Sequence, residues 1–263
     1  AHIQSVAEKR NTIPILANVL IKVVDGVTTL TATDMEIAVV ESVVAEALRD
    51  GAVTAPAAVL YEIVRKLPDG AEVELDHAGG EAPLGLRAGR FATSLNVLDV
   101  DDFPSMMAGS LPHEFRIPAP TLRGLIDRTR FAISTEETRY YLNGIFLHVA
   151  EGAAGPVLRA VATDGHRLAR VETELPAGSA GMPGVIVPRK TVAELRKLLE
   201  EGPEQVDVSL SDTRIQFSIG NITLTSKLID GTFPEYERVI PHGNDKVLRV
   251  NKKIFSDAVA RVA

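Results

Sequence analysis

The chain has 263 residues, 45% hydrophobic and 24% charged, with a net charge of −7 and a pI of about 5.5. It has no cysteine, which excludes a disulfide framework, a thiolate zinc site and a cysteine nucleophile, and fits a reducing, cytoplasmic setting. The opening "AHIQSVAEKR" has no secretory h-region, no apolar run is long enough to span a bilayer, and the acidic total argues mildly against nucleic acid. A total is an average, though, and can conceal a basic face.

In chain order, the first structural signal is "LTATDMEIAV" at 30–39, whose "ATD" at 32–34 marks a hairpin shared with the later repeat. Residues 57–67 place Leu60, Ile63, Val64 and Leu67 on one helical stripe. A short strand is expected over 73–75. A helix over 120–132 carries Leu122, Leu125 and Ile126, with Pro120 suited to its first turn. Asp164-Gly165, between "VLRAVAT" and "HRLARVE", signals a two-residue hairpin. A helix over 190–199 follows, with Val192, Leu195, Leu198 and Leu199. Strands at 206–210, 214–219 and 222–228 alternate apolar and polar residues. A last helix, 252–262, carries Phe255, Ala258, Val259 and Val262. Hairpin-linked strands with helices on one face make an α+β fold.

The chain repeats itself. "LTATDMEIAV" (30–39) matches "AVATDGHRLA" (160–169), and "FATSLNVLDVDDFPSM" (91–106) matches "ITLTSKLIDGTFPEYE" (222–237). "VTAPAAVLYEIVRKL" (53–67) matches "VIVPRKTVAELRKLL" (185–199), "PILANVLIKV" (14–23) matches "YYLNGIFLHV" (140–149), and "RIPAPTLRGLIDRTRFA" (116–132) matches "RVNKKIFSDAVARVA" (249–263). Five matches in one order, at offsets of 126 to 133, imply a domain-sized repeat. The expected domains are 1–107, without its first helix, 114–240, and the start of a third at 246–263. A parent protein with at least three such domains is expected.

Charge is distributed unevenly over this repeat. The helical windows 57–67, 119–132, 189–198 and 251–261 hold twelve basic residues against four acidic, a net +8 that leaves −15 for the rest. Solubility alone explains a mixed-sign helix face. Four windows of one sign point instead to a shared positive surface suited to a phosphate backbone. No aromatic platform interleaves these charges, which favours duplex over single-strand contact.

"ATDGHRLA" (162–169) poses the functional question. A turn explains Asp164 and Gly165 but not His166 and Arg167, which the first repeat replaces with "MEI". One alternative is an enzyme acting on nucleic acid with Asp164 and His166 as acid and base. Another is a DNA-binding scaffold that forms no ring. Against an enzyme, the chain has no G-x-S-x-G elbow, no P-loop and no G-x-G-x-x-G. The six histidines show no metal-ligand spacing, and no cofactor is expected. An apolar groove beside Asp164 and His166 would favour binding, and a polar cleft would favour catalysis.

"NTIPILANVL" (11–20), "RYYLNGIF" (139–146), "ATDGHRLA", "VIVPRK" (185–190) and "TSKLIDGTFPEYERVIP" (225–241) closely resemble the bacterial sliding clamps, the beta subunits of DNA polymerase III. The likeness runs along essentially the whole chain. It implies a DNA-clamp fold: repeated domains, each with two helices lining a channel and antiparallel sheets outside. It implies a head-to-tail homodimeric ring around double-stranded DNA, with no reaction performed. The expected partners are the replicative polymerase subunit, the clamp loader and other proteins with a clamp-binding motif. By motif matching, the resemblance implies a peptide pocket from Leu142, Thr163, Gly165, His166, Arg167, Leu168, Pro234, Arg238 and Val239. It likewise implies DNA contacts at Arg10, Tyr140, Tyr141, Arg189 and Lys190. Glu136 and Glu137 would weaken a phosphate grip beside the tyrosines.

Overall fold

The computed structural model describes residues 2–7, 12–106, 109–200 and 203–262. They form two compact units, 1–232 and 233–263. In the first unit the element order is itself repeated. The first pass runs β1 (Asn18–Val24), β2 (Val27–Thr33), β3 (Ile37–Val43), β4 (Gly51–Pro56), α1 (Ala57–Val64), β5 (Glu74–Asp76), β6 (Leu84–Ala88) and β7 (Phe91–Leu95). A strand and a helix then intervene, β8 (His113–Pro118) and α2 (Ala119–Asp127). The second pass runs β9 (Gly144–Gly152), β10 (Gly155–Thr163), β11 (Leu168–Glu174), β12 (Val185–Pro188), α3 (Arg189–Leu198), β13 (Gln205–Leu210), β14 (Arg214–Ile219) and β15 (Ile222–Lys227).

Strand order repeats as well. β4-β1-β2-β3 in the first pass corresponds to β12-β9-β10-β11 in the second, and β5-β6-β7 to β13-β14-β15. All pairings are antiparallel. The two passes are joined edge to edge. β3 pairs with β15, from Ile37↔Ser226 to Ile222↔Glu41, and makes one eight-stranded sheet. Asn221 Nδ2 donates to the Ser42 carbonyl at 2.7 Å, and Lys227 Nζ bonds Glu36 Oε1 at 3.0 Å.

Alternation produces these strands. In β14, Ile215, Phe217 and Ile219 are buried while the residues between them are half-buried. The three helices of this unit follow strands that end in Pro56, Pro118 and Pro188. Proline supplies the extended residue before the helix and lacks the N–H that a helix start cannot pair. Helix ends are shorter than the stripes suggest: α1 stops at Val64 and α2 at Asp127. Leu122, Leu125 and Ile126 of α2, and Val192, Leu195 and Leu198 of α3, are buried in one apolar cluster that runs through both passes. Before β1, a 3-10 turn at Ile3–Ser5 packs against α1, β2 and β3.

The unit 233–263 contains a 3-10 turn, Tyr236–Val239, and α4 (Lys252–Ala260). Asn251 caps α4, accepting from the backbone N–H groups of Lys253 and Ile254 at 3.0 and 3.2 Å.

Candidate functional site

The expected two-residue hairpin at Asp164-Gly165 is a four-residue loop. β10 ends at Thr163, which pairs with Leu168, and residues 164–167 connect them. The Thr163 hydroxyl donates to the Arg167 carbonyl at 2.8 Å and accepts from the Gly165 N–H at 3.1 Å. Asp164 Oδ1 accepts from the N–H groups of His166 and Arg167, at 2.9 and 3.0 Å. Thr and Asp, not Asp and Gly, therefore build the turn.

The first pass repeats this loop bond for bond. The Thr33 hydroxyl donates to the Ile37 carbonyl at 2.8 Å and accepts from the Met35 N–H at 3.0 Å. Asp34 Oδ1 accepts from the N–H groups of Glu36 and Ile37 at 2.8 and 2.7 Å. Met35 takes the positive φ, 73°, that Gly165 takes at 87°. What differs is the cargo: Gly165, His166 and Arg167 stand exposed, whereas Ile37 is buried.

Around the second loop the structure adds residues that motif matching did not name. The Arg139 guanidinium lies over Gly165 and is held by Glu136 through bonds of 2.9 and 2.5 Å. That pair holds the Glu136 carboxyl below its ordinary range. Glu136 is thus committed to Arg139. Arg167 stacks over the Phe131 ring, 5.6 Å from its centroid, while its Nε donates to Asp164 Oδ2 at 2.9 Å. Leu168 is half-buried beside the loop, and Leu142, at the end of the 3-10 segment Glu137–Leu142, is buried. The aromatic set beside arginines in "RTRFA" was the available signal for Phe131, which the structure leaves exposed. In the second unit, Pro234 is exposed two residues before a 3-10 turn on which Arg238 and Val239 are exposed, and Arg238 is ion-paired with Glu235. Phe233 and Tyr236 meet edge to face, with centroids 6.3 Å apart, to support that turn.

The expected DNA contacts gather elsewhere. Tyr140, Arg189 and Lys190 line one groove of about 510 Å³, with Ser134, Thr135, Asn143, Pro188, Ala193 and Ile229. Tyr141 stands edge-on to Tyr140, with centroids 5.7 Å apart. Arg10 lies outside the described residues. The backbone N–H of Arg189 donates to the Asn143 carbonyl at 2.9 Å, which ties the start of α3 to the tyrosine segment.

Not all of the helix charge is free. Arg196 bonds Asp127 at 2.6 Å, and Lys197 bonds Glu194 at 2.7 Å. Arg65 and Lys66 pair with Glu62, and Lys190 with Asp34. Arg123, Arg128 and Arg189 have no ion pair among the described residues.

Comparison with known proteins matches this arrangement. The N-terminal domain of the DNA polymerase III beta subunit matches residues 1–107, and its central domain matches 116–235. The chain is 50% identical over 262 residues to the beta sliding clamp of Caulobacter vibrioides (strain NA1000 / CB15N), covering 100% of this chain and 70% of that one. The chain belongs to the sliding-clamp family.

The DNA polymerase III beta subunit of Caulobacter crescentus has the same fold, with a TM-score of 0.95 at 50% identity over 100% of this chain and 71% of that one. The sliding clamp of Bartonella birtlesii, solved bound to griselimycin, gives 0.94 at 50% identity, over 99% and 69%. The chain spans about 70% of the length of these clamps. A sliding clamp is a processivity factor and performs no reaction, so the enzymatic alternative is corrected. The geometry gives the reason. Backbone N–H bonds from His166 and Arg167, aided by the Arg167 side chain, lower the Asp164 carboxyl to about 2. A carboxylate so occupied does not exchange protons near neutral pH.

Proposed function

We propose that this clamp chain holds duplex DNA against the groove beside Tyr140 and Arg189 and receives partner peptides at the 163–168 loop. Leu142, Thr163, Gly165, His166, Arg167 and Leu168 form the peptide site of the first unit, and Pro234, Arg238 and Val239 are peptide-binding residues of the second. The observation that carries the DNA reading is the convergence of Tyr140, Arg189 and Lys190 on one groove at the start of a basic helix. A bound ligand in the Bartonella clamp supports the reading that such clamps carry a ligand site. The partners are the replicative polymerase, the clamp loader and other motif-bearing proteins, in the cytoplasm. Among the described residues no helix is long and apolar enough to cross a membrane.

The domains are 1–107, 114–240 and a third from 246. Domains 1–107 and 114–240 associate head to tail: β3, at the end of the first pass's four-stranded sheet, pairs with β15, the last strand of the second pass. The outer edges of β11 and β7 have no strand neighbour among the described residues. Each thus offers the half of the same joint that it would need to extend the pattern. Heterologous contacts of this kind close into rings when the rotation permits.

Reversing Arg189 and Lys190 together to Glu tests the DNA face. Duplex affinity should fall, and the salt slope should flatten by about one unit for each phosphate no longer neutralised. Unchanged affinity and slope with an intact fold would remove the groove from the DNA path.

A further inference from the structure

The second loop carries a pair of side chains that its turn does not need. The first loop makes the same four bonds with Ile37 where the second has Arg167, and Ile37 is buried. The Arg167 side chain is instead 60% exposed, yet it is fixed from two sides. Its Nε donates to Asp164 Oδ2 at 2.9 Å, and its Cζ stands 5.6 Å from the centroid of the Phe131 ring. Phe131 is itself 55% exposed, on the 3-10 turn Arg130–Ala132. That turn is anchored from below. Ala132 and Ile133 are buried, and the Thr129 hydroxyl before it donates to the Leu125 carbonyl at 2.6 Å. An exposed ring on a rigid base adds little to the core, and here its face sets the plane of a guanidinium.

We infer that Phe131 is a positioning residue of the peptide site, holding Arg167 so that its terminal nitrogens bind an acidic side chain of the partner peptide. This rests on the 163–168 loop being the peptide site. A guanidinium carries its N–H donors in one plane. Asp164 takes the donor on Nε, and among the described residues Nη1 and Nη2 have no hydrogen-bond partner. Those two nitrogens form a fork that matches the two oxygens of one carboxylate. The acidic groups already present do not compete for it. Asp164 has Oδ1 filled by the His166 and Arg167 N–H groups and Oδ2 by Nε, and Glu136 is held by Arg139. Ring and aspartate together order the long side chain before a ligand arrives, so binding costs less rotamer entropy. The fork lies at the exposed rim of the loop, where a side chain meets it while the apolar residues of the same peptide take Leu142 and Leu168.

The test titrates the full chain with short peptides of leucine, phenylalanine and glutamine, acetylated and amidated at their ends. One aspartate is moved through every position, and each peptide is compared with its asparagine counterpart. In one register the parent should prefer aspartate by about fivefold at low salt. Phe131→Leu keeps an apolar side chain and removes the ring face, and it should bring this ratio close to one. Phe131→Tyr should restore it. Arg167→Gln removes the fork itself and should also give a ratio close to one, which keeps the test decisive if Phe131→Leu does not fold. The inference is overturned if the parent shows no preference in any register, or if Phe131→Leu weakens both peptides and leaves their ratio as it was. It is overturned too if only a free C-terminal carboxylate, and no aspartate, binds more tightly. Leu168→Ala reports on the site separately and should weaken both peptides. If it weakens neither, the loop is not the peptide site, and that reading falls together with the inference built on it.

Discussion

Arg139 occupies the space that a side chain on Gly165 would need: a Cβ built at Gly165 falls 2.5 Å from Arg139 Nη1. The φ of 87° alone does not demand glycine, since Met35 holds 73° in the twin loop. Gly165→Ala should therefore cost about 1 kcal/mol for the positive φ, plus a steric part. Adding Arg139→Ala should recover the steric part only. A double-mutant cycle by urea unfolding reads this coupling. Strict additivity would show that Arg139 does not fill the site.

Asp164 makes a pH prediction. Its folded value of about 2 lies below the ordinary carboxylate value of 3.8, so its contribution is present above pH 4 and is lost as the pH falls toward 2. The stability difference between the parent and Asp164→Asn should be constant from pH 5 to 8 and should shrink between about pH 4 and 2. A difference that changed around neutral pH would contradict the hydrogen bonding described for this carboxyl.

Leu168 is the half-buried aliphatic residue at the end of the 163–168 loop. Leu168→Ala should weaken binding of a clamp-motif peptide by about 1–3 kcal/mol. Met35→Ala, in the loop of identical geometry without Gly-His-Arg-Leu, should leave it unchanged. Calorimetric titration of both variants decides the matter, and equal binding by the parent and Leu168→Ala would remove the loop from the site.

Gly144 opens β9 where it pairs with Pro188, and an added Cβ would meet the Val187 carbonyl oxygen at 2.3 Å. Backbone cannot yield as a side chain can, so Gly144→Ala should separate β9 from β12 and disturb the start of α3. Stability should fall by about 1–3 kcal/mol, with DNA affinity falling in parallel. A stable variant with unchanged affinity would mean that this edge does not position Arg189.

Retention on DNA should come from topology. A complete clamp of these repeats, loaded on circular DNA, should stay bound through gel filtration and run off when the circle is cut, because base contacts strong enough to hold it would stop it sliding. Equal retention on open linear DNA would indicate ordinary surface binding.

The sequence by itself determined the repeat, the strand alternation and the buried helix stripes, because each is a regularity of neighbouring residues. The turn at 163–167 is equally local, with all its hydrogen bonds inside five positions, yet Asp164-Gly165 read as a two-residue hairpin, and the Thr163 and Asp164 bonds that make it a four-residue loop came from the structure. The tertiary structure decided which charges are free. The helical windows hold twelve cations by count, yet Lys190 answers to Asp34 in the other repeat and Arg196 to Asp127 on another helix. It decided the join of β3 to β15, the meeting of Arg139 with Gly165, and the groove where Tyr140 faces Arg189. Periodicity is fixed by the geometry of a few consecutive peptide units. A Coulomb pair or a steric fit depends on distance in space, which chain separation does not encode until the sheets have formed.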